Sequence, residues 1–366
     1  MESKKKLMEL EGVKRIVPLD AALRIDNLPF KITRRMMCEI AFWAQDQSSY
    51  KAASKVIKKV HGVNLSIGTI RTVTDYVGKM IFEKDESRAN KDYHSRHSNS
   101  EIRVKEKKSE AFYTQTDGAS VNTRTKNKEG TTWKENKLGL VFSSDDIKIT
   151  INNKGEKRSE ILKKEYVSYI GSSKEFKKHL YSCALRNGYK EHKVVVIIGD
   201  GASWIWTISN EMFPNAIQIL DLFHLSENVY KYAKEIFGSN QKKYDPWAKR
   251  IIQKLKSGLK DEVLQEITAL TREKNPEFKL CRYIRNNYNR IDYPEYIEKG
   301  FYIGSGAIES GNKSVMQKRL KLAGMRWGEK SAQYLLSLRA KFESNLWQSE
   351  VVDYVMEYDF KNLENL

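Results

Sequence analysis

A run of five β-branched residues, Val194 to Ile198, constrains the fold of this chain more than any other feature. A strand that is apolar at every position cannot keep one face in water, so the run predicts a central strand covered on both sides. It ends at Gly199, Asp200 and Gly201. Open α/β sheets present functional groups at the carboxyl ends of their strands, and glycine lets the chain turn sharply there. Asp200 is therefore a candidate site residue, with a solvated Asp-Gly turn as the alternative.

The charge of the chain indicates a polyanionic partner. Its 366 residues, 40% of them hydrophobic, suffice for two or three domains with a sizeable core, and its formal net charge is +18. Nucleic acid is the natural partner of such a surface, because each neutralised phosphate releases counterions. No long apolar run or signal peptide is evident, so no membrane partner is expected. Cys38, Cys183 and Cys281 form no CxxC pair, which favours a cytoplasmic protein without a disulfide framework.

Composition and periodicity divide the chain into seven segments. In order, they are a short basic N-terminal segment (1–30), a helical domain (31–89), a charged linker (90–109), the first part of an α/β core (110–224), an all-helical insertion (225–300), the completion of the core (301–347) and a C-terminal tail (348–366).

The helical domain has the pattern of a helix-turn-helix. Gly62 is a plausible end for one helix, and Ser66 is a plausible N-cap for the next. The apolar stripes of the two helices are Tyr50, Ala53, Ile57 and Val60, then Ile67, Ile70, Val73, Val77 and Ile81. Thr69, Arg71 and Thr72 then point outward near the start of the second helix, where they suit contacts with DNA. An ordinary helical hairpin is the alternative interpretation.

Five strands are predicted in the core. Residues 110–123 alternate in polarity, and 138–142 and 147–151 follow after short links, which favours an antiparallel meander. Two further strands, 193–199 and 216–220, alternate with helices. In the resulting order, β-β-β-α-β-α-β-α, the first and fourth strands are neighbours at the centre of a mixed sheet.

Three acids occupy positions that the local pattern does not explain. Asp117 lies among apolar residues in the first strand, Asp200 ends the fourth strand, and Glu309 opens a late helix between glycines. Two adjacent carboxylates repel each other unless a cation neutralises them. Oxygen ligands suit Mg²⁺ or Mn²⁺, and two such ions ~3.5–4 Å apart catalyse phosphoryl transfer. The sequence thus predicts a two-metal site at these residues.

Cations follow the glutamate helix. Lys313, Lys318, Arg319 and Arg326 are candidate DNA contacts, with a solvated helix face as the alternative. Trp327, like Trp204, is expected to pack in the core, and stacking on an unpaired base is the alternative.

An ordered set of motifs carries a resemblance to a known family. The motifs are Thr116-Asp117-Gly118, Gly199 to Ile205, Asp221-Leu-Phe-His224, Ile303 to Lys313 and Gly324-Met-Arg-Trp327. In these the chain resembles the DDE transposases of bacterial insertion sequences, in the broad Mutator-like group with an RNase H-like catalytic domain. The resemblance implies an RNase H-like mixed five-stranded sheet with an all-helical insertion. It also implies that Asp117, Asp200 and Glu309 bind the metal ions and that Asp221 and His224 form an Asp-x-x-His signature near the site. A packed histidine is the alternative for His224.

The expected function is therefore Mg²⁺-dependent DNA cleavage at insertion-sequence ends, followed by strand transfer into target DNA. The expected partners are the terminal inverted repeats, the target DNA and a second copy of the chain, in the bacterial cytoplasm at the nucleoid. One alternative is an N-terminally shortened, non-catalytic derivative that binds the ends or represses, because little sequence precedes the helix-turn-helix pattern. An acid-pair glycosidase fits the carboxylates but not the charge.

Overall fold

The central sheet of the protein has five strands and is mixed. The computed structural model describes residues 25, 28, 30–96, 109–126, 130–151, 157–274 and 279–358. Its strands are β1 (Ser109–Asn122), β2 (Trp133–Ser143), β3 (Ile147–Ile151), β4 (Lys157–Ile161), β5 (Glu165–Ile170), β6 (His192–Gly199) and β7 (Ile217–Leu220). The order in the sheet is β5-β2-β1-β6-β7, with β1 antiparallel to β2 and parallel to β6. This confirms the predicted RNase H-like mixed sheet.

The apolar run identified in the sequence is the second half of β6. Its last three residues, Val196, Ile197 and Ile198, are buried, and β6 lies between β1 and β7. Residues 111–116 of β1 are buried at every position, so helices cover both faces of these two strands. The predicted adjacency of the first and fourth strands of the core is confirmed by parallel pairing from Ser109↔His192 to Thr116↔Gly199.

The prediction that residues 147–151 form the third strand of the sheet is wrong. This segment, β3, pairs with β4 in a separate two-stranded sheet, and Ile149 and Ile151 are more than half exposed. The third strand of the central sheet is β5, which pairs antiparallel with β2. Alternation of isoleucine indicated a strand correctly, but it carries no information about which sheet the strand joins.

Helices account for most of the remaining described chain. They are α1 (Arg34–Asp46), α2 (Tyr50–His61), α3 (Ile67–Ser95), α4 (Ser173–Arg186), α5 (Ser203–Met212), α6 (Leu222–Phe237), α7 (Gln241–Lys256), α8 (Lys260–Lys274), α9 (Leu280–Asn286), α10 (Tyr293–Glu298), α11 (Gly306–Gly311), α12 (Glu329–Glu343) and α13 (Asp353–Glu357). Helices α6 to α10 make up the predicted all-helical insertion, which lies between β7 and α11. Across the part of the chain that the structure describes, none of the helices combines the length and apolarity needed to cross a membrane.

The N-terminal helices begin and end as the sequence predicts. Gly62 ends α2 in the left-handed conformation with φ +70°, and the Ser66 hydroxyl accepts a hydrogen bond from the amide of Thr69 at the start of α3. The predicted apolar stripes include two residues that are largely exposed, Val60 (57%) and Ile67 (49%). Both lie next to the turn that joins α2 and α3, at the ends of the two helices.

Helix α3 is longer than the composition indicates. It continues to Ser95, so the predicted linker 90–109 begins inside the helix. The remainder of that linker up to residue 108, most of the N-terminal segment 1–30 and residues 359–366 of the tail lie outside the described residues. The first part of the tail forms a π-helical turn, Trp347–Val352, and α13. Val351, Val352 and Val355 of this part pack with α1, α2 and α3.

Helices α3 and α12 approach each other so closely at Gly78 that we expect Gly78→Ala to destabilise the protein. A Cβ atom there would lie 2.8 Å from both the Cβ and the carbonyl oxygen of Tyr334, and the backbone cannot move aside easily. The free energy of unfolding in urea should fall by about 1–3 kcal/mol.

The same substitution at Gly68 is the matched control. Gly68 lies in the first turn of the same helix, and its added Cβ would meet nothing closer than the Ser66 hydroxyl at 3.6 Å. Gly68→Ala should leave the stability unchanged or raise it by roughly 0.5 kcal/mol. Equal losses from both variants would contradict the proposed close approach.

Candidate active site

Asp117 and Asp200 each follow a residue of the same cross-strand pair on two neighbouring strands. Thr116 of β1 is paired with Gly199 of β6 in parallel register, and each aspartate is the next residue on its strand. The two aspartates therefore lie side by side where the pairing of the central strands β1 and β6 ends. Their charges interact there, because Asp200 contributes to raising the pKa of Asp117. The sequence prediction that the first and fourth core strands bring these two acids together is confirmed at the level of the backbone.

Asp200 is held in a tight turn between β6 and α5. Its Oδ1 accepts a hydrogen bond from the amide of Ala202 at 2.8 Å, and its carbonyl accepts one from the Tyr283 hydroxyl at 2.7 Å. Gly201 has φ +98°, and a Cβ there would lie 3.0 Å from the ring of Tyr283. Tyr283 belongs to α9 in the helical insertion. The insertion thus contacts the backbone of a candidate catalytic residue, which sequence patterns gave no reason to expect.

Asp117 is partly buried and accepts two hydrogen bonds. Its Oδ1 accepts from the amide of Gly118 at 2.7 Å, and its Oδ2 accepts from the side-chain amide of Asn312. Burial raises the pKa of the Asp117 carboxyl above its usual range, and the negative charge of Asp200 raises it further. The positive charge of His224 and the two hydrogen bonds lower this pKa and so oppose the rise. A carboxylate in this environment gains from a nearby cation.

Asp221 and His224 form a hydrogen-bonded pair beside these acids. Asp221 caps α6, since its carboxylate accepts from the amides of Phe223 at 3.1 Å and His224 at 3.2 Å. Its Oδ2 also lies 2.5 Å from Nδ1 of His224. This hydrogen bond raises the pKa of His224 to about 9, against the effect of burial, and the charges of Asp221, Asp117 and Asp200 add to the rise. His224 is therefore an imidazolium at neutral pH, within the field of both candidate carboxylates.

We expect this pair to make the stability of the protein depend on pH. The pKa of His224 is about 9 in the folded protein and close to 6.5 in the unfolded chain, so its contribution is complete below pH 6.5 and is lost as the pH rises through 9. The free-energy difference between the wild type and His224→Gln, measured in urea without divalent cations, should shrink by about 3 kcal/mol between pH 6 and pH 9.5. A difference that stays constant over this range would contradict the charged pair.

Glu309 is joined to β1 through Gln115. The side-chain amide of Gln115, which is fully buried, donates to the carbonyl of Gly304 at 2.7 Å and accepts from the amide of Ile308 at 3.2 Å. It thereby fixes both ends of the turn that starts α11 to the strand that carries Asp117. The carboxylate of Glu309 accepts a hydrogen bond from the hydroxyl of Ser305. Gln115 is a positioning residue that the sequence did not reveal.

A π-helical turn, Asn312–Gln317, continues α11 and leads into Lys318–Leu320. Such turns widen the helix and are frequent at functional sites. The guanidinium of Arg339, which is 0% exposed, donates to the carbonyl of Val315 at 2.7 Å and to that of Ser314. It also donates to the carbonyl of Gln45 at 2.6 Å. Arg339 therefore connects α12, the turn behind Glu309 and the first N-terminal helix.

The donor chemistry around Asp117 suits a hard divalent cation. Asp117 and Asp200 supply carboxylate oxygens, and the buried Oδ1 of Asn312 has no hydrogen-bond partner among the described residues. Within the described ranges, no group of three or more His, Cys, Asp or Glu side chains is arranged to hold a metal ion. The Glu309 carboxylate engages Ser305 instead. That Asp117, Asp200 and Glu309 together hold two Mg²⁺ or Mn²⁺ ions stays a prediction.

Most of the predicted DNA contacts are on the surface. Arg71 and Thr72 are exposed and Thr69 is half-buried at the start of α3, and Lys313, Lys318 and Arg326 are exposed as well. Arg319 differs, because only 1% of it is accessible and its Nε donates to the carbonyl of Ala44 at 3.1 Å. The alternative of a solvated helix face is therefore wrong for Arg319, and its contact with DNA stays a prediction. Trp327 is buried, as predicted, and Trp204 packs edge-on against Phe176.

The fold is that of a mixed α/β protein with an RNase H-like sheet, and its two central parallel strands bring Asp117 and Asp200 side by side. The chain belongs to the uncharacterised protein family UPF0236, whose family model matches residues 13–353. No curated protein matches the chain.

Proposed function

We propose that this protein is a DDE-type transposase, which cleaves DNA at the ends of an insertion sequence and joins those ends to target DNA. One observation carries the proposal. Asp117 and Asp200 follow the paired residues Thr116 and Gly199 at one edge of the two central parallel strands. Acids side by side on neighbouring strands are suited to binding the divalent cations used in phosphoryl transfer. The order of the motifs in the sequence and the net charge of +18 support the same function.

Each residue of the cluster has a role in this proposal. Asp117 and Asp200 would hold Mg²⁺ or Mn²⁺ between them. Glu309 would become a further metal ligand once its hydrogen bond with Ser305 is broken. Bound there, the metal ions would activate a water molecule or the 3′-hydroxyl of the DNA and stabilise the leaving oxygen. The imidazolium of His224, oriented by Asp221, would donate a hydrogen bond to a phosphate oxygen near the acids. Gln115 and Tyr283 would keep the turns that carry Glu309 and Asp200 in position.

The partners follow from the reaction. Terminal inverted repeats and target DNA would contact the exposed cations at the start of α3 and after α11. Two ends must be joined in one event, so the active species would be a homodimer or a larger assembly. Such a protein would act in the bacterial cytoplasm, at the nucleoid.

Strand cleavage is the test. The substrate is labelled DNA that carries the sequences flanking the gene on both sides, incubated with the full chain and Mg²⁺ or with a chelator. Nicks at the repeat ends that require the metal are expected, and strand transfer products should follow. Footprints at the ends without cleavage in Mg²⁺ or Mn²⁺ would instead identify a non-catalytic end-binding protein. Failure to bind or cleave this DNA would refute both.

A further inference from the structure

A cleft with four arginines lies between the N-terminal helices and the end of β1. Its volume is about 400 Å³, large enough for a nucleotide-sized group. Arg71 comes from α3, Arg124 follows β1, Arg319 follows the π-helical turn, and Arg326 precedes α12. Elements from distant parts of the sequence thus contribute positive charge to one concave surface. The lining of the cleft contains none of the acids of the carboxylate cluster.

Arg319 forms the most unusual part of this cleft. Its guanidinium lies 4.8 Å from the ring centre of Tyr50 and 4.9 Å from that of Trp327, while its Nε is bonded to Ala44. Its Nη2 is buried and finds no hydrogen-bond partner among the described residues. A buried cationic donor without an acceptor is costly and is explained most simply by a ligand that supplies one. The indole of Trp327 therefore holds the guanidinium in place and is not free to stack on a base.

Backbone hydrogen bonds fix the segment that carries Arg124 relative to the segment that carries Arg326. The amide of Trp327 donates to the carbonyl of Asn122 at 3.0 Å, and the amide of Arg124 donates to the carbonyl of Trp327 at 2.8 Å. These bonds attach the Gly324–Trp327 motif to the end of β1, so that Arg124 and Arg326 border the same cleft. The carboxylate of Asp75, 3.9 Å from Nε of Arg71, is bonded to Ser331.

We propose that this cleft binds one phosphate of the DNA backbone, with Arg319 as its buried anchor and Arg124 as its exposed partner. The proposal rests on the proposed function, since it takes DNA as the substrate. Guanidinium groups suit the phosphate because they donate two parallel hydrogen bonds. Thr123, which directly follows β1, is six residues beyond Asp117, a distance of roughly 20 Å or about six base-pair steps. The bound phosphate would thus lie within one helical turn of the reacting one, and would tie α3 to the catalytic core.

The salt dependence of DNA affinity tests the cleft directly. The probe is a labelled duplex of the DNA flanking the gene, and its affinity for the full chain is measured by anisotropy over a range of salt concentrations. Arg124→Gln and Arg319→Met should each make the slope of log affinity against log salt shallower by about one. Because both contact the same phosphate, the double variant should lose about as much as either single variant and not the sum. Melting curves of each variant would test whether it is folded. If Arg319→Met does not fold, Arg124→Gln, which changes an exposed side chain, still tests the proposal.

The control is Arg272→Gln, at an exposed residue of α8 outside the cleft. Its effect on the slope, whatever its size, should add to that of Arg124→Gln. Unchanged slopes in the cleft variants, or additive losses from Arg124→Gln and Arg319→Met, would overturn the shared phosphate. Inorganic phosphate or a free nucleotide that binds the cleft without being displaced by the duplex would assign it to a small ligand instead. Cleavage with normal slopes in the variants refutes the cleft alone, whereas the expected slopes without any cleavage refute the proposed reaction alone.

Discussion

Replacing Asp200 by asparagine is expected to lower the rate of DNA strand cleavage by roughly 10³-fold or more, while the protein stays folded and still binds DNA. Asparagine keeps the size of the side chain and the oxygen that accepts from Ala202, so the turn after β6 should be preserved. It removes the negative charge that, with Asp117, would hold a divalent cation. The rate is measured on labelled DNA carrying the flanking repeats, with affinity and thermal stability determined on the same samples.

Asp145→Asn is the control for this experiment. Asp145 is exposed on the short turn after β2, and its substitution removes the same charge. In the sheet, β1 lies between β2 and β6, the strand that Asp200 follows. Its cleavage rate should stay within about twofold of the wild type. If Asp200→Asn cleaves as fast as this control, Asp200 has no part in the reaction, and the proposed site is wrong.

The largest loss of stability is expected from Arg339→Lys. Arginine at this position donates to carbonyl or carboxylate oxygens of Ser314, Val315, Gln45 and Glu343. A lysine ammonium is a single point with three donors and cannot reach all of these acceptors from one place. At least two buried oxygens then lose their partner, at about 1–3 kcal/mol each. The free energy of unfolding in urea should therefore fall by roughly 3–5 kcal/mol.

The matched substitution is Arg282→Lys, on an exposed position of α9. Its free energy of unfolding should stay within about 0.5 kcal/mol of the wild type. A loss at Arg339 no larger than that at Arg282 would show that the π-helical turn does not need the guanidinium. Cleavage by Arg339→Lys at a temperature where it remains folded should also be slower, because Glu309 precedes the turn that Arg339 stabilises.

Strongly periodic segments made most of the fold predictable. The run in β6 and the helix Ser203–Met212 have simple apolar patterns that the neighbouring elements only reinforce. Strand β5 was not predicted, because its pattern mixes buried polar groups with apolar ones. Its Ser168 is satisfied by the side chain of Asn136 and its Ile170 amide by Gln333, and both partners lie far away in the sequence. A pattern within one segment does not contain such partners.

The candidate site divides in the same way. Asp117 and Asp200 stand out because the local pattern does not explain an acid among the apolar residues of a strand or directly after an apolar strand. Gln115 and Tyr283 do not stand out, since their contacts with Gly304 and Asp200 cross between segments. Arg319 was predicted to contact DNA because it lies in a basic run, with a solvated helix face as the alternative, yet the rings of Tyr50 and Trp327 enclose it. Charge alone does not distinguish a surface cation from a buried one.

The packing of the chain's two ends has a consequence for its biosynthesis. Helices α1 to α3 share their apolar core with Leu338 and Val355, near the other end of the chain. The gap between Ile81 and Leu338 is roughly 250 residues, which a ribosome needs about 10–50 s to translate. For that interval the emerging N-terminal helices have no C-terminal cover, and their apolar faces are open to chaperones and water. A polypeptide released before Leu338 therefore lacks part of the apolar core that covers α1 to α3.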